Sequence, residues 1–300
     1  MQKTAFIAIV GRPNVGKSSI LNKILGQKIA IVSAKPQTTR TRIMGVYTKD
    51  DIQLVFIDTP GLHKPKNSLG KYMVRSVNES VGGVDACMLV AECDKAPGDT
   101  EKLLMQRFKS MDIPAVLALN KIDKLPEKSE IIPQIAAYSQ EFDFDDIVPV
   151  SAQTGSGIGE LIKVLEKQAA EGSHLFDPDT LTDQPERVLA AEIIREKILR
   201  LTDKEIPHGT AVVIERFKQR PDSDITDMDA TIYCERSSHK GILIGKGGSM
   251  LKKIGTYARQ DMERFFDCKI NLTLWVKVKE DWRNREAILR TLGYDESNFD

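Results

Sequence analysis

The chain has 300 residues, 41% of them apolar and 29% charged, with 43 basic side chains against 43 acidic ones; that balance belongs to a folded globular protein long enough for two domains and excludes a disordered or collagen-like chain. The longest apolar runs, six residues each at 5–10 and 86–91, fall far short of the roughly twenty that cross a bilayer, and Met1-Gln-Lys leading straight into the first reads as the approach to a strand rather than a secretory leader. Cys87, Cys93, Cys234 and Cys268 show neither metal-ligand spacing nor a disulfide framework, so the expected compartment is the cytoplasm.

From residue 4 to residue 170 short apolar runs alternate with amphipathic stretches. AFIAIV, IMGVYT, IQLVFID, ACMLVAE, AVLALN and DIVPVS predict strands, with helical periodicity after most of them. Strands apolar on both faces and separated by helices predict an α/β domain over residues 1–170, a mainly parallel sheet with helices on both faces. Ligands of such sheets sit at the carboxyl ends of the strands. Residues 171–186, EGSHLFDPDTLTDQPE, carry no period and read as a linker. Residues 187–300 then predict a smaller α+β domain with a C-terminal tail: a helix over 187–201, strands TAVVIERF and ATIYCER, two helices flanking GKGG, and a strand LTLWVKVK. In that last strand Leu272, Leu274, Val276 and Val278 alternate with partners that include Lys277 and Lys279, the pattern of a sheet with one solvated face. The helix after GKGG places Leu251, Ile254, Ala258, Met262 and Phe265 on one stripe, a core face.

Net neutrality conceals local charge. Residues 236–260 hold six basic residues and no acidic one, while PDSDITDMD and DPDTLTDQPE supply the counterweight.

Gly11-Arg12-Pro13-Asn14-Val15-Gly16-Lys17-Ser18 fits the phosphate-cradling P-loop, and it follows one predicted strand and opens the helix SSILNKIL. The glycines let backbone N–H groups form an anion nest at a helix N-terminus, Lys17 adds a point charge for the terminal phosphates, and Ser18 can ligate magnesium. Asp58, ending IQLVFID, is placed to hold the same ion, and Thr59-Pro60-Gly61 follows, with Gly61 able to approach a γ-phosphate through its N–H. Asn120-Lys121-Ile122-Asp123 reads as the base selector: a carboxylate there accepts from both N1–H and the exocyclic amine of guanine, which adenine does not offer. Ser151-Ala152 opens the loop that buttresses the base.

These motifs resemble the translation-factor-related GTPases. With the spacing of PQTTRTR, DTPGLHKPK, NKID and VPVSAQTG, and downstream AAEIIREK, ERF, IGKGG and LWVKVKEDW, the whole chain resembles the bacterial Era GTPase family. That resemblance implies a GTPase domain joined to a KH RNA-binding domain, with Mg2+ as cofactor. It also implies as partners the 3′ end of 16S ribosomal RNA and the 30S subunit, whose assembly it would assist, and no DNA. A monomer is expected, with weak peripheral contact at the inner face of the membrane as a further family trait, although no strong basic amphipathic anchor is present. By the family pattern Thr39, with Thr38 the nearby alternative, closes over magnesium beside Ser18 and Asp58. Asn14 matches an asparagine of potassium-activated GTPases, so Lys17, Thr39, Gly61 and Asn14 form the implied catalytic set, with K+ a second ion, the alternative being that Asn14 only stabilises the loop.

Leu62, counted with Asp58 to Gly61 among the nucleotide-binding residues, occupies the position where many small GTPases carry a water-orienting glutamine. Leucine cannot orient water, so slow intrinsic turnover is expected. His63 lacks a partner carboxylate in the motif, and Arg40 and Arg42 read as solvated surface charge.

The four letters Gly245-Lys246-Gly247-Gly248 prove nothing alone. Their setting between two helices, in the order helix, two strands, two helices, strand, matches a type II KH module, whose GxxG turn clamps single-stranded nucleic acid. Lys240, Lys246, Lys252 and Lys253 add charge, and Ile242, Ile244 and Ile254 are expected to line the base groove. Two rival readings stand beside the GTP-driven switch: a nucleotide-independent RNA-binding scaffold, and a P-loop kinase, which leaves NKID and the second domain unexplained.

Overall fold

The computed structural model describes residues 1–294; residues 295–300, the end of the expected tail, lie outside the described residues. Two compact units are present, one of residues 1–30, 39–64 and 73–183, the other of residues 31–38, 65–72 and 184 onward.

In the first unit, strands β1 (Lys3–Val10), β2 (Ile43–Lys49), β3 (Ile52–Asp58), β4 (Ala86–Glu92), β5 (Ala115–Asn120) and β6 (Asp146–Val150) form one sheet in the order β2-β3-β1-β4-β5-β6. Only β2 on this path is antiparallel to its neighbour. The central strands bury both faces, which is why they read as unbroken apolar runs rather than alternating ones. Helices α1 (Lys17–Leu25), α2 (Ser68–Val81, of which residues 73–81 belong to this unit), α3 (Asp99–Met111), α4 (Ile132–Glu141) and α5 (Ile158–Glu166) follow strands β1, β3, β4, β5 and β6. Order reverses at β1, flanked by β3 and β4, so the loop leaving β1 opens at the switch point where α/β sheets bind ligands.

The stretch expected to be a linker is tied down along much of its length. A two-residue strand β7 (Ala170–Glu171) pairs antiparallel with β1, the Gln53 carboxamide accepts the N–H groups of Leu175 (2.7 Å) and Phe176 (3.0 Å), and Val46 N–H donates to Leu181 O (2.9 Å). Residues up to 183 accordingly belong to the first unit.

The second unit contains α6 (Glu186–Leu201), β8 (Thr210–Gln219), β9 (Ile225–Cys234), α7 (Ser237–Ile244), α8 (Ser249–Phe266), β10 (Lys269–Val278) and α9 (Glu286–Thr291). Its sheet runs β10-β9-β8, with β9 parallel to β10 and antiparallel to β8. β9 begins five residues earlier than ATIYCER predicts, because Met228 points inward between Asp227 and Asp229 and continues the alternation. Of the expected α8 stripe, Ile254, Ala258 and Met262 are fully buried, and Leu251 and Phe265 pack against the same core.

Candidate nucleotide site and nucleic-acid interface

The carboxyl ends of β1, β3, β5 and β6 bring all four sequence motifs of the first unit together. The P-loop turns from β1 into α1, whose first residue is Lys17. The Lys17 ammonium is buried and donates to Gly11 O (3.2 Å) and Arg12 O (3.0 Å), folded inside its own loop. Burial drops its pKa to about 8, against the pull of Asp58. Arg12 is held from outside by the Glu101 carboxylate, which also accepts the Gly98 N–H (3.1 Å). Glu101 is fully buried and went unnoticed in the sequence, although its place three residues into a helix after Gly98 is a capping position.

Asp58, at the end of β3, is fully buried, and burial pushes its carboxyl up to about 6. One oxygen accepts from Ser18 Oγ at 2.5 Å, the other has no protein partner, and Ser18 Oγ lies 2.9 Å from Thr39 Oγ1. Two hydroxyls, an orphaned carboxylate oxygen and nothing softer form a donor set that fits a hard divalent cation of the magnesium type. Thr38, the alternative to Thr39, instead turns its hydroxyl to Lys35 O (2.6 Å).

Thr59 is locked to the sheet through Ile9 O (2.8 Å). At Gly61 a Cβ would stand 2.6 Å from the Pro13 backbone, so only glycine lets the DTPG turn lie against the P-loop. Leu62, counted among the nucleotide-binding residues from sequence, is corrected here: its side chain belongs to the apolar core and its N–H is spent on Gly11 O (3.2 Å). Val15 is likewise buried and Ile122 packs against the core, so neither offers a side chain to the site. His63 Nδ1 sits 2.9 Å from Gly61 O. Arg40, expected in solvent, is buried.

Asn120 ties three loops together. Its amide donates to Val15 O (2.8 Å) and accepts the Ala152 N–H (3.0 Å), so it fixes the P-loop to the Ser151-Ala152 loop. Lys121 donates to Asn14 O (2.8 Å) and pairs with Glu92. Asp123 is exposed, with one oxygen oriented by Ser151 Oγ at 2.5 Å, which leaves a carboxylate edge facing outward for a base. Asn14 is exposed with a left-handed φ of 64°, a conformation in which asparagine is enriched among side-chain-bearing residues.

In the second unit the GxxG turn joins α7 to α8. Gly245, Gly247 and Gly248 all have positive φ, and a Cβ at Gly245 would meet Met250 at 2.8 Å, whereas Gly247 and Gly248 face open space. Their open side admits a phosphodiester, and α8 starts directly behind, its first N–H, that of Ser249, donating to Lys246 O. A groove of about 390 Å³ beside the turn is lined by Gly248, Leu251, Lys252, Gly255, Thr256, Arg259 and Leu272 to Leu274 of β10. Ile254, expected there, is corrected to a core residue: it is fully buried, and Leu251 takes its place in the groove. Ile244 packs on the core, Ile242 is half exposed on α7, and Lys240, Lys246 and Lys253 lie outside the groove lining. Arg259 and the β10 residues were missed because a groove wall made by a strand edge leaves no motif.

A family model described as 50S ribosome-binding GTPase matches residues 6–121, and one described as KH domain matches residues 205–283. The chain is 50% identical to the GTPase Era of Clostridioides difficile over 296 residues, 99% of this chain and 100% of that protein. It is 51% identical to the GTPase Era of Ruminiclostridium cellulolyticum, with 97% of each chain covered. Two solved structures, a variant of Aquifex aeolicus Era bound to GDP and AlF4−, and Era in complex with MgGDPNP and nucleotides 1506–1542 of 16S ribosomal RNA, each superpose with a TM-score of 0.94 at 38% identity, covering 98% of this chain and 99% of theirs. The chain therefore belongs to the Era GTPase family, a P-loop GTPase domain followed by a KH domain, and is a GTP hydrolase.

Proposed function

We propose that this GTPase is a switch that binds single-stranded RNA near the 3′ end of 16S ribosomal RNA and assists assembly of the 30S subunit, acting as a monomer in the cytoplasm with no more than weak contact at the inner membrane face. The domains are drawn at 1–170 and 187–300, with 171–186 as the connection, of which residues up to 183 pack with the first unit. Among the described residues no helix is long and apolar enough to cross a membrane. The observation that carries the reading is one chain holding two phosphate-facing glycine turns of different build. The first is tied by Asn120 to a guanine-selecting carboxylate, and the second opens onto a groove.

In this reading Gly11 to Ser18 cradle the triphosphate, and Lys17 swings from the loop carbonyls to the β- and γ-phosphates. Ser18, Asp58 and Thr39 hold Mg2+, which supplies charge neutralisation for the transferring phosphoryl group. The Gly61 N–H approaches the γ-phosphate. Asp123 accepts from guanine, with Lys121 flanking the base and Ser151 and Ala152 buttressing it. No side chain at position 62 reaches the water, so intrinsic turnover is slow. K+ beside Asn14 would add positive charge at the phosphates. In the second domain Lys246, Gly247 and Gly248 clamp a phosphodiester, Lys240, Lys252 and Lys253 add attraction, and the groove takes bases. The RNA complex of the similar Era structure supports this partner.

Two substitutions separate the turns. Asp123→Asn should convert guanine preference to xanthine preference, since the amide donates where the carboxylate only accepts, by factors on the order of 10² or more in affinity ratio. The double change Lys246→Asp with Gly247→Asp should abolish RNA binding while GTP affinity stays near that of the unaltered chain. RNA affinity measured with GTP, GDP and no nucleotide decides between switch and scaffold: equal values in all three states refute the switch.

A further inference from the structure

Glu101 is the third residue of α3, and its carboxylate reaches back to the N–H of Gly98 at the helix start (3.1 Å), the acidic half of a capping box. Capping alone does not account for its setting. Acidic side chains are almost never fully buried unless paired, whereas this one is 0% exposed, and a glutamine caps as well without bringing a charge inside. Arg12 of the P-loop answers the charge: its Nε donates to the carboxylate, and its Nη2 is buried without a protein partner. Tyr138 of α4 is fully buried within electrostatic reach of both, its phenol held well above the usual range by burial first and by Glu101 second. So dry a setting screens the ion pair weakly.

The loop segment that carries Arg12 is also held on its other side. Gly11 O accepts the Leu62 N–H (3.2 Å), and the Lys17 ammonium bonds to Gly11 O and Arg12 O. The Pro13 backbone lies so near the DTPG turn that a Cβ at Gly61 would stand 2.6 Å from it. Residues 11–13 are thus fixed between the start of α3 and the turn that bears Gly61. The N–H groups that lead into α1 cradle the inner phosphates of a P-loop nucleotide. A displacement of residues 11–13 is therefore felt first at the outer phosphate, through Gly61.

We propose that Glu101 is a positioning residue for GTP hydrolysis: through its ion pair with Arg12 it holds residues 11–13 against the DTPG turn, so that Gly61 meets the γ-phosphate in the geometry of transfer. The proposal rests on the reading of Gly61 as the γ-phosphate contact. A charge pair suits this task because its partners sit on different loops and the loss of either leaves the other buried and unpaired, which forces the segment to move.

The full chain is tested as Glu101→Gln, Arg12→Met and the double variant, with kcat and KM for GTP, GDP affinity, and affinity for GDP with aluminium fluoride, a mimic of the transferring phosphoryl group. Each single change should lower kcat by roughly ten- to a hundredfold, the effect of a misplacement of up to about 1 Å, and weaken the aluminium fluoride complex in step. GDP affinity should stay within about twofold, since the lost interaction bears on transfer and not on ground-state binding. The double variant should lose no more than the worse single, because both act through one contact; it strands no buried charge, and it is the arm that decides if either single variant unfolds. Turnover unchanged in the double variant, losses that multiply, or GDP affinity falling as far as kcat overturns the positioning role. Unchanged turnover in Gly61→Ala overturns instead the reading on which it rests.

Discussion

Three consecutive charged residues of α6, Arg195, Glu196 and Lys197, are buried, and removing the middle one tests what they hold. The Glu196 carboxylate, 0% exposed, accepts the Val32 N–H (3.1 Å), Lys197 Nζ (3.0 Å) and Arg200 (3.0 Å), and Lys197 also pairs with Asp261 of α8. Breaking a buried ion pair at one partner costs about 3–5 kcal/mol. Here Lys197 keeps Asp261 and the Arg200 side chain is 52% exposed, so the stranded charges are fewer. Glu196→Ala should then destabilise the second unit by about 2–3 kcal/mol, which at this size lowers its thermal transition by roughly 5–10 °C. Scanning calorimetry reads the transition, and amide exchange at Val32 reads the lost acceptor directly, since its protection should fall with the change. Adding Lys197→Met should return part of the loss, because the cation that Glu196 neutralised is gone. A destabilisation under about 0.5 kcal/mol, within the range of an ordinary surface change, would refute the assignment of a structural ion cluster.

Two further outcomes follow from the nucleotide site. Asp58 holds its proton up to about 6 when folded and near 3.8 when unfolded, so in nucleotide- and metal-free protein its contribution to stability is full below that window and is lost as pH rises through it. Urea melts from pH 4 to pH 6.5 should show a decline on the order of 2 kcal/mol from this group, flattened in Asp58→Asn and offset by added Mg2+; a slope identical in both proteins removes the effect. GTP turnover should be faster in potassium than in sodium if a monovalent cation sits beside Asn14, and equal rates leave the left-handed turn as the whole reason for an asparagine there.

The central strands were legible because burial on both faces writes itself as an apolar run, and the loops were legible because phosphate and guanine recognition restrict residue type at fixed spacing. What escaped the sequence has physical causes of its own. Asp227 and Asp229 make the start of β9 look like an acidic loop, yet both sit on the solvent-facing side of a sheet, where Arg216, Arg220 and Asn271 neutralise the first. Residues 171–183 have no period, because Gln53 and backbone atoms of the first unit fix them rather than an apolar face. Arg40 reads as surface charge and is buried. The motif residues of the candidate nucleotide site lie at neighbouring strand ends, but Leu62, Val15 and Ile122 turn to the core and Glu101 left no motif, since a motif position shows where the chain passes and not which way its side chain turns.

The division of the chain into units also bears on hydrolysis. Residues 31–38 belong to the second unit, where Arg195 donates to Thr38 O, Glu196 accepts from Val32, and Lys35 pairs with Asp203 at 2.8 Å. Thr39 belongs to the first, 2.9 Å from Ser18. One peptide bond separates a residue anchored on α6 from one poised at the cation site, and a trans peptide spans a fixed 3.8 Å between Cα atoms. If Thr39 closes over magnesium as proposed, a neighbour already ordered by its own hydrogen bond at Thr38 O would lower the cost of that closure. Arg195→Met, which keeps the apolar length and drops the donor, should weaken a magnesium-bound non-hydrolysable GTP analogue by about 1 kcal/mol, roughly fivefold, the cost of ordering a residue or two. GDP affinity, which needs no γ-phosphate closure, should hold. Equal weakening of both nucleotides would mean that Arg195 supports the fold and not the position of Thr39.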